Sequence, residues 1–218
     1  MTNRRLTILI LAAVGLVAAG CGSSDSVLTG TTSTTGTDVT TTGTTSTGTT
    51  TTGTTATTST GSGPTTSVEG TTFTDPAGKY SIVVPPSWIS AQDTPKAWFL
   101  DDKKDDFREN VNILTETIPS SLDLDSYVDL SISKAPGMIR EFSVKQREKI
   151  TLDSGQTAYR LVYTGSPNNV PAELSFTFLA VVAVEDGTAV TLTMTAPKET
   201  FEATVDKNWP AVRTLTVK

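Results

Sequence analysis

Hydrophobic and polar positions divide the chain into three stretches. Leu6 to Val17 is an apolar run broken only by Thr7 and Gly15. Gly22 to Thr72 is nearly all Thr, Ser and Gly, with TTGTT-like units recurring irregularly. From Phe73 onward, aromatic, charged and β-branched residues return together and alternate over short distances. The first stretch has the length of a signal-peptide core, about 7–15 residues. The second has too little apolar surface to offset the entropy of ordering, so it is predicted to be disordered. The third is expected to fold.

Within the third stretch, Phe73 and Thr74 begin a short strand, and Asp75-Pro76-Ala77-Gly78 is a turn signal. Tyr80, Ile82 and Val84 bring the chain back as a second strand that ends at Pro85-Pro86. Trp98-Phe99-Leu100 is predicted to be a short strand, Asp101 to Glu109 a charged turn, and Asn110 to Ile118 an alternating strand. Pro119-Ser120-Ser121 then offers capping hydroxyls, with Asp123 and Asp125 where a helix dipole favours negative charge. Leu124, Tyr127, Val128 and Ser131 share one face at helical spacing, and Pro136-Gly137 stops that helix. Four strands follow: a polar one through Phe142, Val144 and Ile150; one through Tyr159, Leu161 and Tyr163; a long apolar one from Leu174 to Val182; and one in which Val190, Leu192, Met194 and Ala196 alternate with threonines. The last two form a hairpin across Glu185-Asp186-Gly187. Phe201, Val205, Trp209 and Val212 make the stripe of a final helix, which Pro210 is expected to kink or restart. Leu215 and Val217 suggest one more short strand.

Runs of strands separated from helices predict an α+β domain. Apolar residues on both faces of the later strands predict one antiparallel sheet flanked by helices on both faces. The expected organisation is a signal peptide over 1–20, Cys21 and a Thr/Ser/Gly-rich linker over 21–72, and the α+β domain over 73–218. As a flexible coil, about 50 linker residues would separate their ends by roughly 40 Å. The linker hydroxyls suit O-glycosylation, and composition is equally compatible with a bare spacer.

Composition narrows the function. The 218 residues carry a net charge of −6 and a pI of about 4.7. This argues against nucleic acid, whose binders carry basic patches, and against electrostatic attachment to anionic lipid. There is no histidine, which removes the commonest general base, histidine-based triads and most zinc sites. The single cysteine excludes an internal disulfide.

That cysteine is Cys21, directly after Ala18-Ala19-Gly20. Asn3-Arg4-Arg5 provides the positive start of an export signal, and Leu6 to Gly20 is too short to span a bilayer comfortably. The arrangement resembles the bacterial lipobox, an aliphatic residue and two small residues before a cysteine, except that Ala18 takes the aliphatic place. The resemblance implies diacylglycerol on the Cys21 sulfur, cleavage before Cys21 and acylation of the new amine. Two or more chains give stable membrane anchoring where one does not. The alternative is an ordinary secreted protein whose signal ends near a cysteine.

Several stretches resemble the PsbP-like group, and within it the LpqN-type lipoproteins of actinobacteria: Gly78 to Trp88, Asn110 to Ile113, Ser126 to Val128, Gly155 to Tyr163 and the terminal hairpin with its helix. The resemblance spans most of 73–218 and implies an antiparallel sheet sandwiched by helices. The group is not predominantly enzymatic, and no family active site carries over.

Candidate sites are few. Asp101, Asp102, Asp105, Asp106 and Glu109 form the densest acidic cluster, but cations interleave and EF-hand spacing is absent. Asp123, Asp125 and Asp129 are explained by helix-start preference and a solvent face. Ser131 and Lys134 match Ser-x-x-Lys without its partner motifs. Of Trp88, Trp98 and Trp209, Trp88 is the candidate for the rim of a ligand or partner site. No catalytic residue, metal or cofactor is assigned. The reading is a monomeric, non-catalytic lipoprotein, attached to the cell membrane by lipid on Cys21, exposed on the extracytoplasmic side and binding a protein or envelope partner. The alternative is a small-molecule or lipid carrier.

Overall fold

The computed structural model describes residues 68–91, 96–100, 107–171 and 173–218. Cys21 and Asp101, Asp102, Asp105 and Asp106 lie outside the described residues. The first strands are β1 (Thr71–Thr74), β2 (Tyr80–Val84), β3 (Ile89–Ser90), β4 (Ala97–Phe99) and β5 (Asn110–Thr117). Helix α1 (Leu124–Lys134) runs into a 3-10 turn at Ala135–Gly137. Then come β6 (Ile139–Thr151), β7 (Thr157–Pro167), β8 (Phe176–Glu185), β9 (Thr188–Ala196), helix α2 (Phe201–Val212) and β10 (Thr216–Val217).

Most strands join one seven-stranded sheet in the order β3-β4-β5-β9-β8-β7-β6. Every pairing in it is antiparallel. A second sheet of three strands, β1-β2-β10, is also antiparallel. The two-residue strand β3 was not expected from the sequence. It is too short to show a period, and only its pairing of Ile89 with Phe99 and Ser90 with Trp98 defines it.

Strand β8 is buried on both faces because alternate residues feed two separate cores. Leu179, Val181 and Ala183 join Leu192, Met194, Trp88, Trp98 and the α2 residues Phe201, Val205 and Val212. Phe176, Phe178, Ala180 and Val182 join Tyr159, Leu161, Tyr163 and the α1 residues Tyr127 and Val128. On β9 the odd positions Thr191, Thr193 and Thr195 are buried like the even ones. The alternation that predicted a strand there does not mark a wet face.

Helix α1 begins where Asp123 accepts a hydrogen bond from the Ser126 amide at 2.8 Å, so one of the amides left unpaired at a helix start is satisfied. The start of helix α2 has no side-chain cap on its amides but is tied to β5. Glu109, just before β5, accepts the hydroxyls of Thr200 and Thr204, placing a carboxylate at the positive end of the helix. Helix α2 runs through Pro210 without a restart. The proline lies in the last turn, so its missing N–H removes one bond close to the natural end of the helix.

The domain also begins earlier than Phe73. Thr71 and Thr72, expected in the linker, pair with Val84 and Val83, and Val68 packs against the first core.

Candidate functional site: the cleft between α1 and β6

The C-terminal half of α1 lies over β7 and β8 and leaves a cleft toward the sheet edge. Ser131, Ile132 and Ala135 form the helix wall, Phe142 and Val144 of β6 the outer wall, and Leu161, Tyr163, Ala180 and Val182 the floor, with Thr191 at one end. The lining is apolar because these β6, β7 and β8 positions share one face. Beside the cleft, Met138 and Val144 are among the exposed large hydrophobics at 38% and 36% exposure. Its cavity volume is about 20 Å³, room for about one water molecule.

Ser131 and Tyr127, the polar groups of the helix wall, are already engaged. The Ser131 hydroxyl donates to the Tyr127 carbonyl at 2.8 Å, and Lys134 is exposed at the helix end, so the Ser-x-x-Lys match assembles no nucleophile. The Tyr127 hydroxyl donates to Glu116. Burial first, and then the Glu116 hydrogen bond, push the Tyr127 phenol above its ordinary range. Burial does the same to Tyr163.

The three helix acids do not converge. Asp123 is the cap. Asp125 pairs with Lys149 at 2.8 Å and accepts the Tyr159 hydroxyl; the Lys149 hydrogen bond, then that of Tyr159, hold its carboxyl below the usual range. Asp129 pairs with Arg147 at 2.6 Å. Together they fasten the outer flank of α1 to β6, a cross-element role that helix periodicity alone does not reveal. Of the acidic cluster only Glu109 is described, and it accepts the Thr200 and Thr204 hydroxyls at the start of α2. Among the described residues no group of three or more acidic or thiol ligands could hold a metal ion.

Trp88 is not at a rim. It is 5% exposed in the first core, where its indole N–H donates to Asn208 Oδ1 at 2.7 Å. The Asn208 amide in turn donates to the Thr204 carbonyl at 2.8 Å. A buried tryptophan needs such an acceptor, and this one lies on α2. Trp98 is buried beside it with ring centroids 6.1 Å apart. Trp209 is half-buried, with the Arg160 guanidinium 5.4 Å from its ring centroid.

No protein-family model matches the chain, and no curated protein does. Solved structures do. LpqN of Mycobacterium tuberculosis, involved in cell envelope biogenesis, is 14% identical over 68% of this chain and 90% of LpqN, with a TM-score of 0.50. Cyanobacterial PsbP from Synechocystis sp. PCC 6803 is 18% identical over 68% of this chain and 92% of its own, with a TM-score of 0.48. The Ran-binding protein Mog1p of Saccharomyces cerevisiae is 14% identical over 69% of this chain and 96% of its own, with a TM-score of 0.46. At these identities the likeness is one of fold. Of the three, only the likeness to LpqN reaches a TM-score of 0.50.

Proposed function

We propose that this chain is an extracytoplasmic lipoprotein, held to the cell membrane by lipid on Cys21, whose domain binds a protein or envelope partner without catalysing a reaction. The observation that carries the anchor is the placement of the lone cysteine immediately after Ala18-Ala19-Gly20 and an apolar run. Among the described residues no helix is long and apolar enough to cross a membrane. The two helices are read as the outer layers of a PsbP-like sandwich, in keeping with an LpqN-type lipoprotein; LpqN's part in cell envelope biogenesis agrees with an envelope role.

The non-catalytic reading is supported by how the candidate side chains are used. Asp123 caps α1, Glu109 holds two threonine hydroxyls at the start of α2, Asp125 and Asp129 fasten α1, and Ser131 bonds its own helix. The α1–β6 cleft suits a protein partner better than a ligand. Its cavity of about 20 Å³ takes the tip of one side chain, whereas ligand pockets run to about 300–1,000 Å³. The carrier alternative gains no support from it.

The experiment is Cys21→Ala in the full chain, with membrane and soluble fractions separated and palmitate incorporation followed. We expect the wild-type protein in the membrane fraction with label, and the variant unlabelled and released. A variant that stays with the membrane overturns the anchor.

A further inference from the structure

We infer that Val68 to Asp75 form a locked root, which fixes the place and direction in which the N-terminal segment leaves the domain. Three contacts carry this. Val68 packs against the first core although it lies in the Thr/Ser/Gly-rich run. Gly70 passes so close to the end of β2 that a Cβ there would lie 2.4 Å from the Val84 carbonyl oxygen and 2.9 Å from a Val83 methyl. Finally, Asp75, at the far end of β1, is buried and ion-paired to Lys96 at 2.6 Å.

Each contact acts on a different part of the root. Val68 holds the entry, Gly70 lets the backbone lie against β2, and β1 pairs along its whole length from Thr71↔Val84 to Thr74↔Ser81. The Asp75 carboxylate also accepts the Ala77 amide at 3.1 Å, and its own amide donates to the Tyr80 carbonyl at 3.0 Å. Phe73 stands edge-on to Trp98, with centroids 5.3 Å apart. The obstacle facing a Cβ at Gly70 is mainly backbone of a paired strand, which cannot swing aside as a flexible side chain would. The reach of the N-terminal segment is therefore counted from residue 67 rather than 72. Among the glycines of the run, Gly70 is a structural residue and not a spacer.

The test is amide hydrogen exchange on the full-length protein, which reads the junction whether or not Cys21 carries lipid. In the wild type, the β1 amides bonded to β2 should exchange at least about tenfold more slowly than an unstructured peptide. In Gly70→Ala that protection should be lost over residues 69–76 while β8 and β9 keep theirs; Gly63→Ala, a glycine of the same run, should change nothing. If Gly70→Ala unfolds the whole domain, Val68→Ser is the second variant, and loosening confined to 69–76 supports the root. Unprotected β1 in the wild type overturns the inference. So does β1 that stays protected in both variants, or an equal effect from Gly63→Ala.

Discussion

At Asp75 a single carboxylate joins the β1–β2 turn to the segment before β4. It is 2% exposed, and its partner Lys96 holds a positive φ of 67°, a conformation that non-glycine residues seldom keep without support. Burial opposes the charge of Asp75, but the Lys96 ammonium and the Lys79 and Ala77 amides outweigh it and hold the carboxyl below its usual range. A lowered folded-state value means that the stabilisation is fully present above the unfolded-state value of about 3.9. It is lost as pH falls through the folded value. Asp75→Asn should therefore cost about 1–3 kcal/mol at pH 7, the lower part of the range for a buried pair because Lys96 is partly solvated. Urea melts should show the gap to wild type narrowing as the pH falls below about 3.9; a gap constant between pH 7 and pH 2.5 would refute the charged role. The sequence signalled the turn here through Asp-Pro-Ala-Gly. It did not signal the lysine, which is brought in from beyond Pro85-Pro86. Trp88 was misjudged for the same reason, since its acceptor Asn208 lies far along the chain.

At the scale of elements, local pattern was enough for the strands from β5 to β9 and for both helices. Period, capping residues and turn residues agree there. It failed where a neighbouring backbone sets the requirement. Gly165 lies inside β7, where β6 passes close against it. A Cβ at Gly165 would lie 2.4 Å from an Ile139 methyl and 2.8 Å from the Arg140 carbonyl oxygen. Opposite it, β6 breaks register between Arg140 and Ser143, and Glu141 has a φ of 52°. The bulge and the glycine form one device: β6 carries one extra residue against β7 here, and Gly165 gives its backbone room. The second break, between Val144 and Gln146, keeps Arg147 and Lys149 on the same face as Val144, where they meet Asp129 and Asp125. Gly165→Ala should destabilise the domain by about 1–3 kcal/mol through overpacking. Urea denaturation checks this, and a change smaller than about 0.5 kcal/mol, the usual size for a surface substitution, would mean that β6 can move away freely.

At the scale of the whole molecule, the seven-stranded sheet ends in one very short edge, β3, and one long edge, β6. A long open edge invites pairing with a second copy. Its sequence argues against that. In an antiparallel pair related by a two-fold axis, opposed residues share a face, so beyond the bulges odd positions meet odd and even meet even. Centring the pair on residue 147 sets Arg147 against itself. Centring on 148 sets Glu148 against itself and Arg147 against Lys149, and centring on 149 opposes two copies of Lys149. Like charges directly opposite destabilise a sheet, so each of these three registers carries a penalty. The expected state is a monomer across the micromolar range by sedimentation velocity. Arg147→Thr combined with Lys149→Thr removes three of these four repulsions and leaves only Glu148 against itself; it also removes the pairs that fasten α1, and should shift the protein toward dimers. A wild-type dimer protected from exchange along β6 would mean that the charges do not guard this edge.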